Sequence, residues 1–457
     1  MKRVHVKKAF SILMAIALMA GLWMPVYADA GLSRGDMAVA IVEQLGLGAQ
    51  AKTAADKASV FADVKDGSAI EGAVNLLCEK GWVNGVGGGK FNPDSQATQL
   101  QAATILLKAY GVPAGLMRNW FKDGSELARW SGLTDGMTFE PNAPVSLADI
   151  KTMNGNGSAV AAKPVIGISW KSFTQDYSGF KAVLKEAGAI PVEMPQIRSS
   201  AATYGKDGML TADCVTGTGN LIPEIANKIK AKDFASTNAA EAMTYVDGMF
   251  FTGGEDISPN LFAKPVPEAN KGEEINATRD ISDYTLLSYC IEKDIPTFCV
   301  CRAEQMLSIV SGATFIQDIP DYYASKGATY ADTHRMPPDA PNRTYARHDV
   351  QIDKTSKWLY DIIGSTELKN VSSWHHQAVG DVSGTPLTVV ARTVADGVEI
   401  IEGIERQDKT FILGVQFHPE NDCKLVYYDK TPEKALCNVD TCMGFFHTLI
   451  SYAQAGK

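Results

Sequence analysis

The chain has 457 residues, 45% of them hydrophobic and 21% charged, and a formal net charge of −9. That length accommodates two or three domains, and the composition excludes a disordered or low-complexity protein. The acidic balance excludes a basic nucleic-acid groove and electrostatic docking on an anionic membrane.

Lys2, Arg3, Lys7 and Lys8 precede an uncharged apolar stretch, Ala9 to Met24. Val26-Tyr27-Ala28 and Ala28-Asp29-Ala30 then offer small-x-Ala cleavage patterns. Together they predict an export signal over residues 1–30, removed on secretion; an uncleaved N-terminal anchor is the alternative. No later run is apolar for long enough to span a bilayer, so the expected location is the cell surface or wall. The eight cysteines are scattered and include no pair of CxxC motifs, so neither a disulfide scaffold, a metal nor a cofactor is expected. Cys423, Cys437 and Cys442 lie close enough in sequence for one bridge.

Residues 31–153 contain a repeat. Phe61-Ala-Asp63, Gly81 to Gly85 and Phe91-Asn-Pro93 return in shortened form as Phe121-Lys-Asp123, Gly132 to Gly136 and Phe139-Glu-Pro141. Ser33 to Asp36, Thr98 to Gln101 and Ser146 to Asp149 carry the capping-box spacing that starts helices. The segment resembles the S-layer homology module. The resemblance implies a small helical bundle that grips acidic cell-wall polysaccharide, with Arg34 as the wall-binding arginine; a spacer or partner module is the alternative. Residues 154–163, small, polar and glycine-containing, read as a linker.

From Pro164 the pattern alternates. Strands are expected at 165–169, 189–193, 245–252 and 296–300, and helices at 180–187, 282–292 and 302–310; this predicts an α/β domain over 164–457 with a mostly parallel sheet. Further strands are expected at 348–352, 387–392, 397–404 and 411–416. Residues 199–240 read as an irregular insertion.

Three stretches carry chemistry. An apolar strand runs into Cys301 and a helix begins at once, which thrusts the thiol above the sheet edge at a positive helix terminus. Gly414-Val-Gln-Phe-His418-Pro-Glu420 ends a strand on a histidine that a carboxylate two residues on can orient, giving a Cys301–His418–Glu420 triad. Gly253 and Gly254, after a strand, let bare backbone approach a substrate; the Gly254 and Arg302 amides are the expected oxyanion donors.

These stretches, with Arg279-Asp280, Cys301 to Gln305, His375-His376-Gln377 and Asp396 to Glu399, resemble the gamma-glutamyl-gamma-aminobutyrate hydrolase branch of the class I glutamine amidotransferase superfamily. The resemblance spans about residues 164–450. It implies a flavodoxin-like fold and hydrolysis of a small gamma-glutamyl substrate through a thioester, with Gly253, Arg279, His375, His376 and Gln377 as substrate-binding residues. Ala303 stands where that branch has glycine. A synthase-coupled amidotransferase and a noncatalytic wall-binding protein with a degenerate site are the competing readings.

Overall fold

The structure, a computed structural model, describes residues 31–262 and 275–456. The expected export signal lies outside the described residues. The described chain divides into two compact units, one from residues 31–109 and 134–156, the other from 110–133 and 157–456. None of the described helices is long and apolar enough to cross a membrane.

The first unit is built on helices α1 (Arg34–Gln44), α2 (Gly48–Ala54), α3 (Glu71–Glu79) and α4 (Gln99–Ala109). Its capping boxes form as spaced. Thr98 Oγ1 accepts from the Gln101 amide while Gln101 Oε1 accepts from the Thr98 amide, and Ser146 and Asp149 reciprocate in the same way. The Phe-x-Asp and Phe-x-Pro motifs clasp each other. Asp63 accepts from the amides of Phe91 and Asn92, each at 2.8 Å, and the two phenylalanine rings lie 5.6 Å apart.

Arg34 belongs to the same clasp. It is 7% exposed, its Nε donates to the Phe91 carbonyl at 2.8 Å, and its guanidinium lies 4.7 Å from the Phe91 ring centre. The side chain expected at the polysaccharide is therefore committed inside the module.

The second motif copy behaves differently. Phe121-Lys-Asp123 lies within helix α5 (Trp120–Trp130), capped by Asn119, and the Phe121 ring is 45% exposed. Segment 154–163, expected as a linker, is helical as far as Ala161, within α6 (Leu147–Ala161). Ile150, Met153, Gly157 and Val160 are its buried positions, a helix-spaced stripe that small residues obscure in the sequence.

The second unit is a nine-stranded sheet ordered β2-β1-β3-β4-β11-β10-β9-β6-β7. The strands are β1 (Val165–Ile168), β2 (Ile190–Glu193), β3 (Gly248–Phe251), β4 (Thr297–Val300), β6 (Ala346–Ile352), β7 (Glu367–Ser373), β9 (Thr388–Ala395), β10 (Val398–Glu405) and β11 (Ile412–Val415); β5 (Phe315–Ile316) and β8 (Ala378–Val379) pair separately. β2 through β11 run parallel; β10, β9, β6 and β7 follow antiparallel. The parallel half is the sheet that the alternating pattern predicts, and its order β2-β1-β3-β4-β11 is the flavodoxin-like one that the resemblance implies. The antiparallel extension was legible only as extra strands, without an order.

Alternation across the pleat separates two cores. Phe250, Phe298, Val300 and Val415 face helices α7 (Ser178–Glu186), α14 (Pro419–Tyr427) and α15 (Val439–Ala455). Met249, Phe251, Cys299 and Ile412 face α8 (Pro223–Lys230), α10 (Ala277–Lys293) and α11 (Arg302–Ser311). Segment 199–240 contributes Cys214, Leu221, Ile225 and Ile229 to the second core, so it is packed structure and not a surface appendage. Cys423, Cys437 and Cys442 are buried free thiols.

Phe298 stacks on Phe445 at 5.4 Å and lies 5.8 Å from Phe250, fully buried. Phe298→Ala is expected to cost about 3–5 kcal/mol of unfolding free energy in urea titration.

Candidate functional site

β3, β4 and β11 are neighbours in the sheet, with Phe251 beside Cys299 and Val415 beside Val300. Their carboxyl ends therefore deliver three distant stretches to one edge: Gly253-Gly254, Cys301 and His418. Open α/β sheets keep their sites at such an edge.

Cys301 is the N-cap of α11 with φ 52° and ψ −113°, a strained conformation for a side-chain-bearing residue. The elbow is held from both sides. The Cys301 amide donates to Val415 O at 2.8 Å, and Cys301 O accepts from the Gln305 amide at 3.0 Å. The thiol is buried among Gly253, His418 and the Trp374 carbonyl, which lies 3.8 Å from Sγ.

His418 caps α14, with Pro419 at the first helical position and its own amide donating to Ser372 O at 2.8 Å. Its Nδ1 lies 2.6 Å from Glu420 Oε1, while Nε2 is buried without a hydrogen-bond partner. Burial opposes charge on this imidazole, but Glu420 and then Cys301 outweigh it and hold the pKa well above the usual histidine value. The Tyr345 ring packs edge-on, 5.1 Å from the His418 ring.

The two glycines are sterically required. A Cβ on Gly253 would sit 2.8 Å from His418 Cε1 and 3.3 Å from Cys301 Cβ; one on Gly254 would collide with the Arg279 guanidinium. The Arg302 amide occupies the first turn of α11, where helix geometry leaves N–H groups without an intrahelical acceptor.

A buried lattice of charge fixes these loops together. Arg279 donates to Thr252 O at 2.8 Å, to Glu255 Oε2 at 2.9 Å and to Asp283 Oδ2 at 3.1 Å. Arg302 spans Asp280 and Asp283, each at 2.5 Å, and Asp280 Oδ2 accepts from the Ser258 amide at 3.0 Å. With Lys171 near Glu255 at 3.8 Å, three cations meet three carboxylates. Burial opposes the Arg279 charge, yet Asp283 and Glu255 outweigh it and raise its pKa. Both guanidiniums thus help to position the 252–258 loop against α11.

The His-His-Gln segment is likewise committed. His376 lies 3.1 Å from both Asp256 Oδ2 and Asp318 Oδ1. The Gln377 carbonyl receives Gln305 Nε2 at 3.0 Å and contacts His375 Nδ1 at 2.9 Å. Nε2 of His375 lies 3.7 Å from Glu402 Oε1. Of the five residues expected to bind substrate, Gly253 lies directly against Cys301. Asp396 and Gly397 form the turn between β9 and β10, with φ of 50° and 73°.

Sequence reasoning missed the residues that meet His375. His334, His348 and Glu402 converge with it in a buried cluster beneath the site. It also missed Glu304, fully buried on α11, whose carboxyl burial pushes well up, with Glu402 and Cys301 adding to the rise. No short spacing links His334, His348 and Glu402, and in the sequence Glu304 lies within the Cys301 to Gln305 stretch with no role of its own.

Asp283→Ala removes a carboxylate that both arginines share, leaving Arg302 with Asp280 and Arg279 with Glu255, and is expected to cost about 3–5 kcal/mol in urea denaturation.

Comparison with known proteins agrees with this geometry. The Peptidase C26 family matches residues 229–420, and the S-layer homology domain matches residues 60–103. Protein NtpR of Enterococcus hirae is 34% identical over 183 residues, which are 40% of this chain and 70% of that protein. The gamma-glutamyl-gamma-aminobutyrate hydrolase PuuD of Escherichia coli K12 is 28% identical over 183 residues, 38% of this chain and 64% of that protein. With its elbow cysteine, its paired histidine and glutamate and these similarities, the chain belongs to the Peptidase C26, class I glutamine amidotransferase-like family, with an S-layer homology domain ahead of that region.

Proposed function

We propose that residues 164–456 form a cysteine hydrolase of gamma-glutamyl amides, exported and held at the cell surface by the S-layer homology module. The observation that carries the reading is the unpartnered, buried Nε2 of His418 beside a cysteine on a strained strand-to-helix elbow, with Nδ1 fixed by Glu420. The similarity to a gamma-glutamyl-gamma-aminobutyrate hydrolase supports the bond type. With Arg34 engaged within its own module, wall contact falls to other groups of that domain.

The course follows from the positions. Cys301 Sγ, having passed its proton to His418 Nε2, attacks the gamma-carbonyl carbon. The oxygen takes the electron pair and is held by the Gly254 and Arg302 amides. Collapse expels the amine, which takes the His418 proton, and leaves a gamma-glutamyl thioester. His418 then draws a proton from water, which attacks the thioester; the acid leaves and Cys301 recovers its proton. Glu420 keeps the imidazole in the required tautomer throughout.

Gamma-glutamyl anilide is the test substrate. Cys301→Ala is expected to lower its hydrolysis by about 10,000-fold or more; equal release by both proteins ends the reading.

Glu420→Gln removes the largest influence that raises the His418 pKa. Because the imidazolium is the acid for the leaving amine and is lost as pH rises through its pKa, the alkaline limb of kcat/KM is expected to move to lower pH. An unmoved limb contradicts the assigned role of Glu420.

A further inference from the structure

The buried cluster of His334, His348, His375 and Glu402 has the composition and spacing of a metal centre. Nε2 of His334 lies 3.2 Å from Glu402 Oε1, and Nε2 of His348 and of His375 each lie 3.7 Å from the same oxygen. A tetrahedral zinc ion with bonds of about 2.0–2.1 Å spaces its donors about 3.3–3.4 Å apart. The four ligand atoms all fall within 4.8 Å of one another, so slight contraction gives that spacing.

All three Nε2 atoms and both Glu402 oxygens are buried without a hydrogen-bond partner. Such a concentration of unsatisfied polar atoms is costly unless a further group satisfies them. The outer nitrogens are engaged: His334 Nδ1 lies 3.0 Å from Thr333 Oγ1, His348 Nδ1 3.2 Å from Thr393 Oγ1, and His375 Nδ1 2.9 Å from Gln377 O. Outer hydrogen bonds of this kind orient metal-binding imidazoles and leave the inner nitrogen as the donor.

The backbone is shaped to the same end. The β9–β10 register shifts between Ile401 and Gly403, making Glu402 the extra residue of a bulge; the β6–β7 register shifts just after His348. Bulges re-aim side chains that a regular ladder would point elsewhere.

We propose that His334, His348, His375 and Glu402 bind one divalent transition-metal ion of the zinc type, closed to solvent. Four buried protein donors complete a tetrahedron, so the ion serves as a tie and supplies no open position for water. It fastens the loop carrying His334 to strands β6 and β10 and to the segment just after β7. Through His375 it anchors Trp374, whose carbonyl faces the Cys301 thiol. The site's test is independent of the hydrolase reading, because its readouts are metal content, spectrum and thermal stability.

The full chain, grown with zinc and purified without chelators or metal-affinity resin, is expected to carry about one ion by mass spectrometry of the metal. Chelation is expected to lower Tm, and zinc to restore it. Co²⁺ in its place is expected to show the visible bands of a tetrahedral nitrogen and oxygen site. His348→Gln is expected to weaken metal retention at least about tenfold and to abolish the zinc-dependent Tm shift. If that variant fails to fold, the cobalt spectrum of the unaltered protein decides. No bound metal and no zinc response, intense sulfur-to-cobalt charge transfer, or full retention in folded His348→Gln would each overturn the site.

Discussion

Everything at the candidate active centre depends on the parallel ladder that sets β4 between β3 and β11. Each strand is short and buried on both faces, so its register is set by packing against two helical layers. A one-residue slip of β4 would move Phe298 from one core to the other and would point the chain after Val300 away from His418. The ladder bond from the Cys301 amide to Val415 O is the last of that series, and it holds the strained elbow in place.

Beneath the ladder, charge takes over from apolar packing. Arg279 looks like a substrate handle in a one-dimensional reading, and Arg302 there contributes its backbone amide. In three dimensions they face Asp280, Asp283 and Glu255 and stitch the glycine loop to the nucleophile helix. Preorganised amides at an oxyanion position need such rigid support, since a loop free to relax would forfeit their field. In the proposed hydrolase, the lattice contributes by holding backbone still.

The antiparallel strands appended to the sheet contribute differently. They carry His348 and Glu402, which meet His375, and supply Ser372 O, which receives the His418 amide. Half of the site's support thus comes from strands whose order no crossover pattern announced. The β6 pairings with β7 and β9 span long connections and leave little local trace of who pairs with whom.

The sequence by itself determined the local features: the capping boxes at Thr98 and Ser146, the strand-to-helix break at Cys301, the glycine pair after β3 and the spacing of His418 and Glu420. Each rests on interactions within a few residues, which composition and period record directly. Only the tertiary structure decided the roles that depend on partners far along the chain. It spent Arg34 on Phe91, turned Arg279 into a loop anchor, made a helix of the presumed linker and gathered four ligand-type side chains from residues 334 to 402. The physical reason is that burial and pairing are properties of surroundings. A guanidinium or imidazole carries the same chemistry in either role, and the neighbours that select between them are assembled by folding.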